Sequence, residues 1–318
     1  MLDLSVVICT YNRASLVKKA LASLSAQTLA ASQFEIILVD NNSTDDTARI
    51  FERFVRANPA LNAHYFVEKQ QGLSHARNCG HQAASGSIIA YLDDDALANP
   101  NWCAATVKAF EQTTTLAAGG PIMPWYDTPP PAWWSDEFEV RTWGNASGFK
   151  TFAQAPHGFA GGNMAFRREV ITKYGGFDVN LGMKGNQMGL AEETVLFRQM
   201  WRDHPQKNWL WYETQMQIEH YTPPRNWQFA YRKQRALKSG QTEAQLQQAK
   251  FWQMATWQVL FRLVWKLAIY PVRVLVGKGQ SKTRQFRAIW SIYYCIGFLS
   301  YLTLALSLKR RGDKKRRK

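Results

Sequence analysis

Three nearly continuous apolar runs lie in the first hundred residues of the chain: Leu4–Thr10, Phe34–Val39 and Ile88–Leu92. Runs of this kind, without strict alternation, are typical of strands that are buried on both faces of a parallel sheet. Two segments between them, Ala14–Ala26 and Asp45–Ala57, repeat apolar residues at helical spacing. The pattern therefore predicts strands that alternate with helices.

This β-α-β-α-β order predicts an α/β fold with an open sheet. We expect Ser43 and Thr44 to cap the second helix, because short polar side chains satisfy the free amides of a helix start. In open α/β sheets, ligands bind at the carboxyl ends of the strands. The polar residues that follow each strand are therefore the first candidates for a functional site.

The rest of the chain changes character twice. Pro121–Phe152 is rich in proline and tryptophan and is interpreted as a lid or an acceptor-facing insertion. Ordered elements are expected to resume at Gly158–Arg168, with a helix at Glu192–Trp201, a strand at Asn208–Tyr212 and a helix at Asn226–Ser239 that Gly240 ends as a C-cap. Beyond Thr242 the pattern is helical to the end, with breaks expected at Pro271 and at Gly277-Lys278-Gly279.

Length and charge divide the chain into two parts. Its 318 residues suffice for one large α/β domain and an appendage. The net charge of +15 is concentrated beyond Phe251, where the chain carries +14, so the preceding residues carry only +1. A nearly neutral body disfavours nucleic acid as a partner, and a basic, apolar tail indicates an anionic membrane surface. We predict a catalytic domain at 1–240 and a helical, membrane-associating tail at 241–318.

The tail contains two different apolar segments. In the first, Arg262, Lys266 and Arg273 lie within about 40° on a helix, and Trp257, Leu260, Phe261, Val264, Trp265 and Leu267 cover the rest. This pattern favours a helix that lies in a membrane interface. The second, Ala288–Leu308, has 21 uncharged residues, but basic clusters flank it on both sides. Those clusters favour a re-entrant or interfacial hairpin over a spanning helix, and packing on protein remains the alternative.

Polar clusters follow the three predicted strands: Thr10-Tyr11-Asn12-Arg13, Asp40-Asn41-Asn42-Ser43 and Asp93-Asp94-Asp95. Oxygen clusters such as the aspartate triplet bind Mg²⁺ or Mn²⁺, often together with the phosphates of a nucleotide. An acidic, solvated turn is the alternative. The sequence has neither GxGxxG after the first strand nor a P-loop, which disfavours dinucleotide and P-loop binding.

These motifs, taken in order, resemble those of family-2 glycosyltransferases with a GT-A fold. The matching segments are Ser5–Arg13, Val39–Asp45, Gly72–Gly80, Leu92–Asp95, Gly161–Arg167, Gly175–Asp178 and Ala191–Glu193. The resemblance covers about residues 3–240. It implies a Rossmann-like open mixed sheet flanked by helices, a nucleotide-sugar donor and a divalent metal, Mg²⁺ or Mn²⁺.

The resemblance also assigns roles to residues. It implies that Thr10, Tyr11, Asn12 and Arg13 form a wall for base and ribose, that Asp40 accepts a hydrogen bond from a uracil-like imide, and that Arg77 and Asn78 hold ribose or diphosphate oxygens. Asp93 and Asp95 take the outer positions of a DxD motif, with Asp95 favoured as the direct metal ligand. Asp93 and Asp94 are also counted among the donor-binding residues, with exposure to water as the equal alternative for Asp94, the middle residue. Gly161, Gly162 and Asn163 are included in the donor site. His220 is a candidate metal ligand, with a core histidine as the alternative.

An acidic pair completes the implied site. Inverting transfer needs a carboxylate that takes the proton of the attacking hydroxyl. The resemblance implies this role for Glu193, and Glu192, which precedes it, is predicted as a second catalytic residue. We expect the helix start to keep Glu193 ionised, with both acids merely complementing the helix dipole as the alternative. The metal and Arg77 are expected to stabilise the departing nucleoside diphosphate. Because the Gln-x-x-Arg-Trp motif of processive relatives is absent, single addition is favoured.

The function predicted through this resemblance is therefore inverting transfer of one sugar from a nucleotide-sugar to a lipid-linked saccharide acceptor. UDP-sugar is the expected donor because UDP is the commonest nucleotide in the family. The enzyme is expected on the cytoplasmic face of the cell membrane, in a peripheral or re-entrant arrangement. Two alternatives remain open at this stage. One is a metal-dependent nucleotidyltransferase, and the other is a non-enzymatic basic protein that binds membranes or nucleic acid.

Overall fold

A mixed sheet with helices on its faces is the centre of the computed structural model. The structure describes residues 2–185, 189–205, 208–250, 253–275 and 281–315, and it leaves aside the side chains of 269–275, 281 and 303–315. Within this range the chain forms two units, Met1–Trp125 with Glu139–Tyr221 and Tyr126–Phe138 with Thr222–Lys318. The predicted α/β class with an open sheet is confirmed.

The first unit contains the predicted alternation of strands and helices. Its first half has β1 (Leu4–Thr10), α1 (Ala14–Ser25), β2 (Phe34–Asp40), α2 (Thr47–Ala57), β3 (Asn62–Val67), α3 (Leu73–Ala83), β4 (Ile88–Asp93), β5 (Ala96–Ala98) and α4 (Trp102–Ala109). Its second half has β6 (Ala117–Gly119), β7 (Ile122–Trp125), β8 (Gly148–Phe149), β9 (Asn163–Arg167), α5 (Arg168–Lys173), α6 (Glu192–Asp203), β10 (Leu210–Tyr212) and β11 (Ile218–Tyr221).

Strand order explains why the polar motifs meet. In the described residues, eight strands pair in the order β3-β2-β1-β4-β9-β6-β10-β8, with β3, β2, β1 and β4 parallel and β9 antiparallel to its neighbours. The registers end at Thr10 opposite Asp40 and at Cys9 opposite Asp93. The carboxyl ends of three strands therefore lie at one edge. Two apolar clusters form the core on the two sheet faces, one with α1 and α2 and one with α3 and α6.

A second, smaller sheet brings in a residue distant in sequence. It has the order β5-β11-β7 in the described chain, and β11 pairs antiparallel with β5 so that His220 lies opposite Ala96. The Tyr221 amide donates to the Asp95 carbonyl oxygen at 2.9 Å. Because β5 follows the aspartate triplet directly, this pairing holds His220 beside Asp95. The segment 121–152, interpreted from its sequence as a lid or an acceptor-facing insertion, contains β7 and β8, and its middle part, Tyr126–Phe138, belongs to the second unit.

The cap predicted for α2 is wrong. The Asp45 carboxylate accepts from the Thr47 amide at 3.1 Å and from the Thr47 hydroxyl. The Ser43 hydroxyl instead accepts from the Asn12 amide at 2.8 Å, and the Asn12 side chain accepts from the Thr44 amide at 2.7 Å. Ser43 and Thr44 therefore connect the loops after β1 and β2, which is a tertiary role that local sequence does not indicate.

The second unit is helical and consists mainly of α7 (Phe229–Leu246), α8 (Met254–Leu275) and α9 (Ser281–Lys315). The C-cap predicted at Gly240 is wrong, because α7 continues through it. A Cβ on Gly240 would overlap the Tyr294 carbonyl oxygen, and one on Gly297 would overlap the Leu237 carbonyl oxygen. Both glycines therefore permit a close crossing of α7 and α9. The break predicted at Pro271 is absent as well, because α8 continues to Leu275, and 277–279 lie outside the described residues.

The two apolar segments of the tail are packed differently. In α9, Ile289, Ile292, Phe298 and Leu302 are buried, so the described part of Ala288–Leu308 follows the alternative of packing on protein. In α8, Trp257, Phe261 and Trp265 are 60%, 69% and 59% exposed. Among the described residues, no helix combines the length and the apolar character needed to cross a membrane. The boundary predicted at residue 240 falls inside α7, whereas the two units divide after Tyr221, and the extent of the catalytic domain stays a prediction.

Candidate active site

Two aspartates and a histidine form a cluster at the carboxyl edge of the sheet. His220 Nε2 lies 3.5 Å from Asp93 Oδ2 and 3.2 Å from Asp95 Oδ1, and one ligand atom from each of the three residues lies within 4.8 Å of the others. The three side chains are partly open to solvent. Two carboxylates and an imidazole suit Mn²⁺ or Mg²⁺ with open positions for further ligands. These residues, the metal cluster hereafter, fit the metal predicted from the sequence.

The members of the metal cluster shift one another's pKa values. Burial acts to lower the pKa of His220, but Asp95 and Asp93 outweigh it and raise this pKa to about 9. Burial opposes ionisation of Asp93, yet His220 and Arg77 lower its pKa below the usual value. The imidazole is therefore protonated near neutral pH when no metal is bound. A divalent ion held here by His220 would have to replace that proton, since a histidine ligand must be neutral.

Asp94 points away from solvent, which contradicts the expectation that it can face water. The Thr10 hydroxyl donates to Asp94 Oδ2 at 2.7 Å, and Arg13 Nη1 lies 2.9 Å from both Asp94 Oδ1 and Asp95 Oδ2. Burial raises the pKa of Asp94 to about 7 although Arg13 opposes the shift. Arg13, which is predicted to line the base and ribose site, therefore connects two members of the triplet, and 37% of its side chain remains exposed.

Asp40 is held in place by residues from two directions. The Ser43 amide donates to Asp40 Oδ1 at 2.7 Å, and the Tyr65 hydroxyl on β3 donates to Asp40 Oδ2. Tyr11 and Asn12 follow β1 at the same edge, and Asn12 has a φ of 53°. The predicted base-binding residues are thus brought together. Tyr65 was missed, and its only signal is a polar aromatic residue in the strand next to the one that bears Asp40.

Arg77 and Asn78 differ from their predicted roles. Arg77 on α3 is buried, and its Nη1 lies 2.7 Å from Glu192 Oε1 and its Nη2 3.6 Å from Asp93 Oδ1. The guanidinium predicted to face ribose or diphosphate is therefore engaged by two carboxylates. Asn78 donates to the Phe177 carbonyl oxygen and accepts from the Phe177 amide, both at 2.8 Å. The Asn78 side chain therefore holds the loop before α6, and both of its polar groups are used by the Phe177 backbone.

The segment Gly161-Gly162-Asn163 packs beneath the site. A Cβ on Gly161 would lie 2.5 Å from Arg77 Nη2, and one on Gly162 would overlap Asp93 Oδ2. Asn163 is fully buried, accepts from Trp102 Nε1 at 2.9 Å and donates to the Met216 carbonyl oxygen at 2.8 Å. The Asn163 side chain therefore has its polar groups engaged in the core, and the inclusion of Asn163 in the donor site stays a prediction. The two glycines make room for charged side chains.

The acidic pair lies at the first turn of α6, immediately after Ala191, which has a φ of 85°. Glu192 is buried against Arg77, while Glu193 Oε2 is shielded from solvent and has no hydrogen-bond partner within the described part of the chain. Burial and then Glu192 raise the pKa of Glu193 to about 8, although Arg77 lowers it. The expectation that the helix start keeps Glu193 ionised is therefore wrong. Desolvation outweighs the helix dipole.

Comparison with known proteins agrees with this geometry. The model of the family "Glycosyl transferase family 2" matches residues 5–175, which is more than half of the chain. The chain belongs to this family of glycosyltransferases, as the ordered motifs indicated. Its fold is also that of solved glycosyltransferases. A mannosyltransferase from Pyrobaculum calidifontis, in complex with GDP-Man and Mn²⁺, has a TM-score of 0.63 at 19% identity, over 94% of this chain and 86% of that one.

Curated relatives are similar over part of their length. A glucosyl-dolichyl phosphate glucuronosyltransferase from Haloferax volcanii is 27% identical over 60% of this chain and 61% of its own length. The succinoglycan biosynthesis protein ExoM from Rhizobium meliloti is 25% identical over 77% and 75%. A GalNAc(5)-diNAcBac-PP-undecaprenol beta-1,3-glucosyltransferase from Campylobacter jejuni is 35% identical over 30% of each chain. Two of these three matches, the Haloferax and the Campylobacter proteins, span less than two thirds of the relative's own length.

Proposed function

We propose that this member of glycosyl transferase family 2 is a metal-dependent, inverting transferase that moves one sugar from a nucleotide-sugar to an acceptor hydroxyl. One observation carries the proposal: the partly open metal cluster of Asp93, Asp95 and His220 and the desolvated carboxyl of Glu193 lie in the same unit. Both interact electrostatically with Arg77. A site with a cation-binding cluster and a separate proton acceptor suits this reaction.

The donor end of the site is proposed to use the residues at the strand ends. Asp40, held by Ser43 and Tyr65, presents an acceptor to the imide N–H of a uracil-like base. Tyr11 and the exposed portion of Arg13 border the same edge. Asp93, Asp95 and His220 would hold Mg²⁺ or Mn²⁺, which neutralises the charge of the diphosphate when it is bound. UDP-sugar is the donor proposed, because uracil offers this imide.

The acceptor end is proposed to use Glu193 as the general base. The acceptor hydroxyl loses its proton to Glu193 Oε2 as its oxygen attacks the anomeric carbon, and the bond from that carbon to the diphosphate oxygen breaks on the opposite face. The configuration inverts, and nucleoside diphosphate leaves. A carboxyl with a pKa of about 8 is a stronger base than an ordinary glutamate once it is ionised.

Lipid-linked saccharide is the acceptor class proposed. The support comes from relatives whose names contain lipid carriers, dolichyl phosphate in Haloferax and undecaprenol in Campylobacter, and from ExoM in succinoglycan biosynthesis. The same proposal puts the enzyme at the cytoplasmic face of the cell membrane. There α8 would lie in the interface with Trp257, Phe261 and Trp265 among the acyl chains, in a peripheral arrangement, and its cations would attract anionic lipid.

Product analysis tests the reaction. Incubation with a UDP-sugar, Mn²⁺ and a polyprenyl-linked saccharide should release UDP in equal amount to extended acceptor, and the new linkage should have the opposite anomeric configuration to the donor. Release of pyrophosphate would instead indicate a nucleotidyltransferase. A retained configuration would rule out the single-displacement mechanism.

Vesicle flotation tests the membrane surface. Full-length protein should float with vesicles that contain anionic lipid, and the triple variant Trp257→Ser, Phe261→Ser, Trp265→Ser should float far less, because each change removes an exposed apolar side chain worth roughly 1.5–3 kcal/mol on burial. As a matched control, Phe66→Ser changes an exposed aromatic residue on β3 and should leave flotation unchanged. If the wild type stays at the bottom at low salt, the tail does not dock on membranes.

A further inference from the structure

The buried guanidinium of Arg77 lies between the metal cluster and the acid pair, by which we mean Glu192 and Glu193. Nη1 is 2.7 Å from Glu192 Oε1, and Nη2 is 3.6 Å from Asp93 Oδ1. Only 3% of the Arg77 side chain is exposed. An arginine that binds a diphosphate should direct its donors towards the ligand. Here the donors of Arg77 are directed at two carboxylates of the protein itself.

The surroundings of Arg77 are shaped for this position. Gly161 leaves a space that a Cβ would close to 2.5 Å from Nη2. The rings of Phe177 and Tyr91 have centroids 5.4 and 5.9 Å from the Arg77 Cζ. A guanidinium that is enclosed by aromatic rings and by a glycine has few alternative rotamers. The arrangement therefore favours a fixed, structural position of the Arg77 side chain over a mobile side chain that binds a ligand.

The other end of the ion pair lies at a strained point of the backbone. Ala191 precedes α6 with a φ of 85°, in the left-handed region that non-glycine residues rarely adopt because their Cβ is strained there. Such a conformation persists only where neighbouring contacts hold it. Glu192, the next residue, supplies such a contact through Arg77. The same turn carries Glu193, so the ion pair sets the position of the proposed base.

We infer that Arg77 and Glu192 are positioning residues, which join the first turn of α6 to Asp93 and thereby fix the base against the metal cluster, and that neither side chain binds the donor. The inference rests on the proposed function for the identity of the base. It reassigns both residues relative to the sequence prediction, which gave Arg77 a diphosphate contact and Glu192 a share in catalysis.

The two charges act on Glu193 in opposite directions. Burial is the main cause of its raised pKa, Glu192 raises it further, and Arg77 lowers it; these are the charged groups that act on it from α6 and α3. Removing Arg77 should raise the pKa of Glu193 and move the acidic limb of the pH–rate profile to higher pH. Removing the charge of Glu192 should move the limb to lower pH. Removing both should return it close to the wild-type position.

The test uses the full chain with Arg77→Met, Glu192→Gln and the double variant. Calorimetry with UDP and Mn²⁺ at fixed pH gives donor-side affinity, and transfer at saturating donor gives kcat from about pH 6 to 9. We expect each UDP dissociation constant to stay within about three-fold of wild type, and kcat to fall on the order of 10- to 100-fold because the base is displaced. The acidic limbs should shift in opposite directions. Arg56→Met and Glu169→Gln, at exposed positions, are matched controls that should change nothing.

A loss of UDP affinity of ten-fold or more in Arg77→Met, with an unshifted acidic limb, would overturn the inference and restore the diphosphate role. If wild-type protein transfers no sugar, the proposed function fails and thermal unfolding still tests the pair. Each single variant should then lower Tm more than the double variant does, because it leaves a buried charge without its partner. Additive losses of Tm would contradict a pair.

Discussion

The metal cluster and the acid pair are both built from neighbouring carboxylates, but their charges are compensated to different extents. Asp93 and Asp95 have His220 and two arginines within ion-pair distance. Glu193 has a second carboxylate as its neighbour, and the guanidinium nearby is already engaged by Glu192. Ionisation of Asp93 is therefore favoured by its cationic neighbours, whereas Glu193 keeps a proton to about pH 8. The number of neighbouring cationic side chains therefore distinguishes the carboxylates suited to hold a metal ion from the carboxyl suited to act as a base.

Removing a charge from the metal cluster should have the largest effect. In Asp95→Asn one ligand charge is lost, and we expect Mn²⁺-dependent binding of UDP to disappear and transfer to become undetectable. Calorimetry with and without Mn²⁺ measures this. Asp46→Asn, at an exposed aspartate, is the control and should bind as wild type does. Unchanged Mn²⁺-dependent affinity in Asp95→Asn would remove this residue from the site.

The acid pair should control the pH dependence of transfer. Burial and Glu192 raise the pKa of Glu193 to about 8, and only the ionised form accepts a proton. At saturating Mn²⁺ the rate should therefore rise about ten-fold per pH unit below that pKa and level off above it. Rates measured in overlapping buffers check this. A profile that is flat from about pH 6 upward would show that no base with a raised pKa limits transfer.

The same pKa predicts a smaller effect on stability. Because folding raises the pKa of Glu193 above its ordinary value, stability associated with its proton is present at low pH and is lost as pH rises towards about 8. Glu193→Gln has no carboxyl to ionise, so its folded state should not lose this stability as the pH rises. Its Tm should exceed that of wild type by several degrees at about pH 8 and match it at about pH 4.5. Differential scanning calorimetry measures both, and a lower Tm for the variant at both pH values would contradict a desolvated charge.

The sequence predicts the metal cluster better than it predicts the acid pair. Strands β1, β2 and β4 follow from continuous apolar runs, and parallel pairing then brings Thr10, Asp40 and Asp93 to one edge. His220 was a candidate by its position in the motif order, but its distance from Asp95 depends on the pairing of β5 with β11. Local patterns contain no information on that pairing, so the structure is needed to join the three ligands.

The sequence did not indicate which of the charged and polar side chains of the site are buried. The sequence predicts that Arg77 and Asn78 hold ribose or diphosphate oxygens. In the structure, the Arg77 guanidinium is engaged by two carboxylates, and Asn78 holds the Phe177 backbone. Glu193 at a helix start is expected to ionise, and only its surroundings show that desolvation prevails. In the tail, the sequence distinguishes the apolar segments of α8 and α9 by their charges, but it does not indicate which of the two helices is covered by protein. Their exposure differs because α7 covers α9.

The central claim is that the metal cluster binds the donor and that the acid pair supplies the base. It is tested most directly by Glu193→Gln, which keeps the size of the side chain and removes its ability to accept a proton. The measurement is UDP affinity with Mn²⁺ and single-turnover transfer in one preparation. The account predicts an affinity within about three-fold of wild type and a transfer rate lower by roughly 10²–10⁴, the usual contribution of a general base. A variant that transfers sugar at nearly the wild-type rate, or one that loses UDP affinity together with transfer, would contradict it.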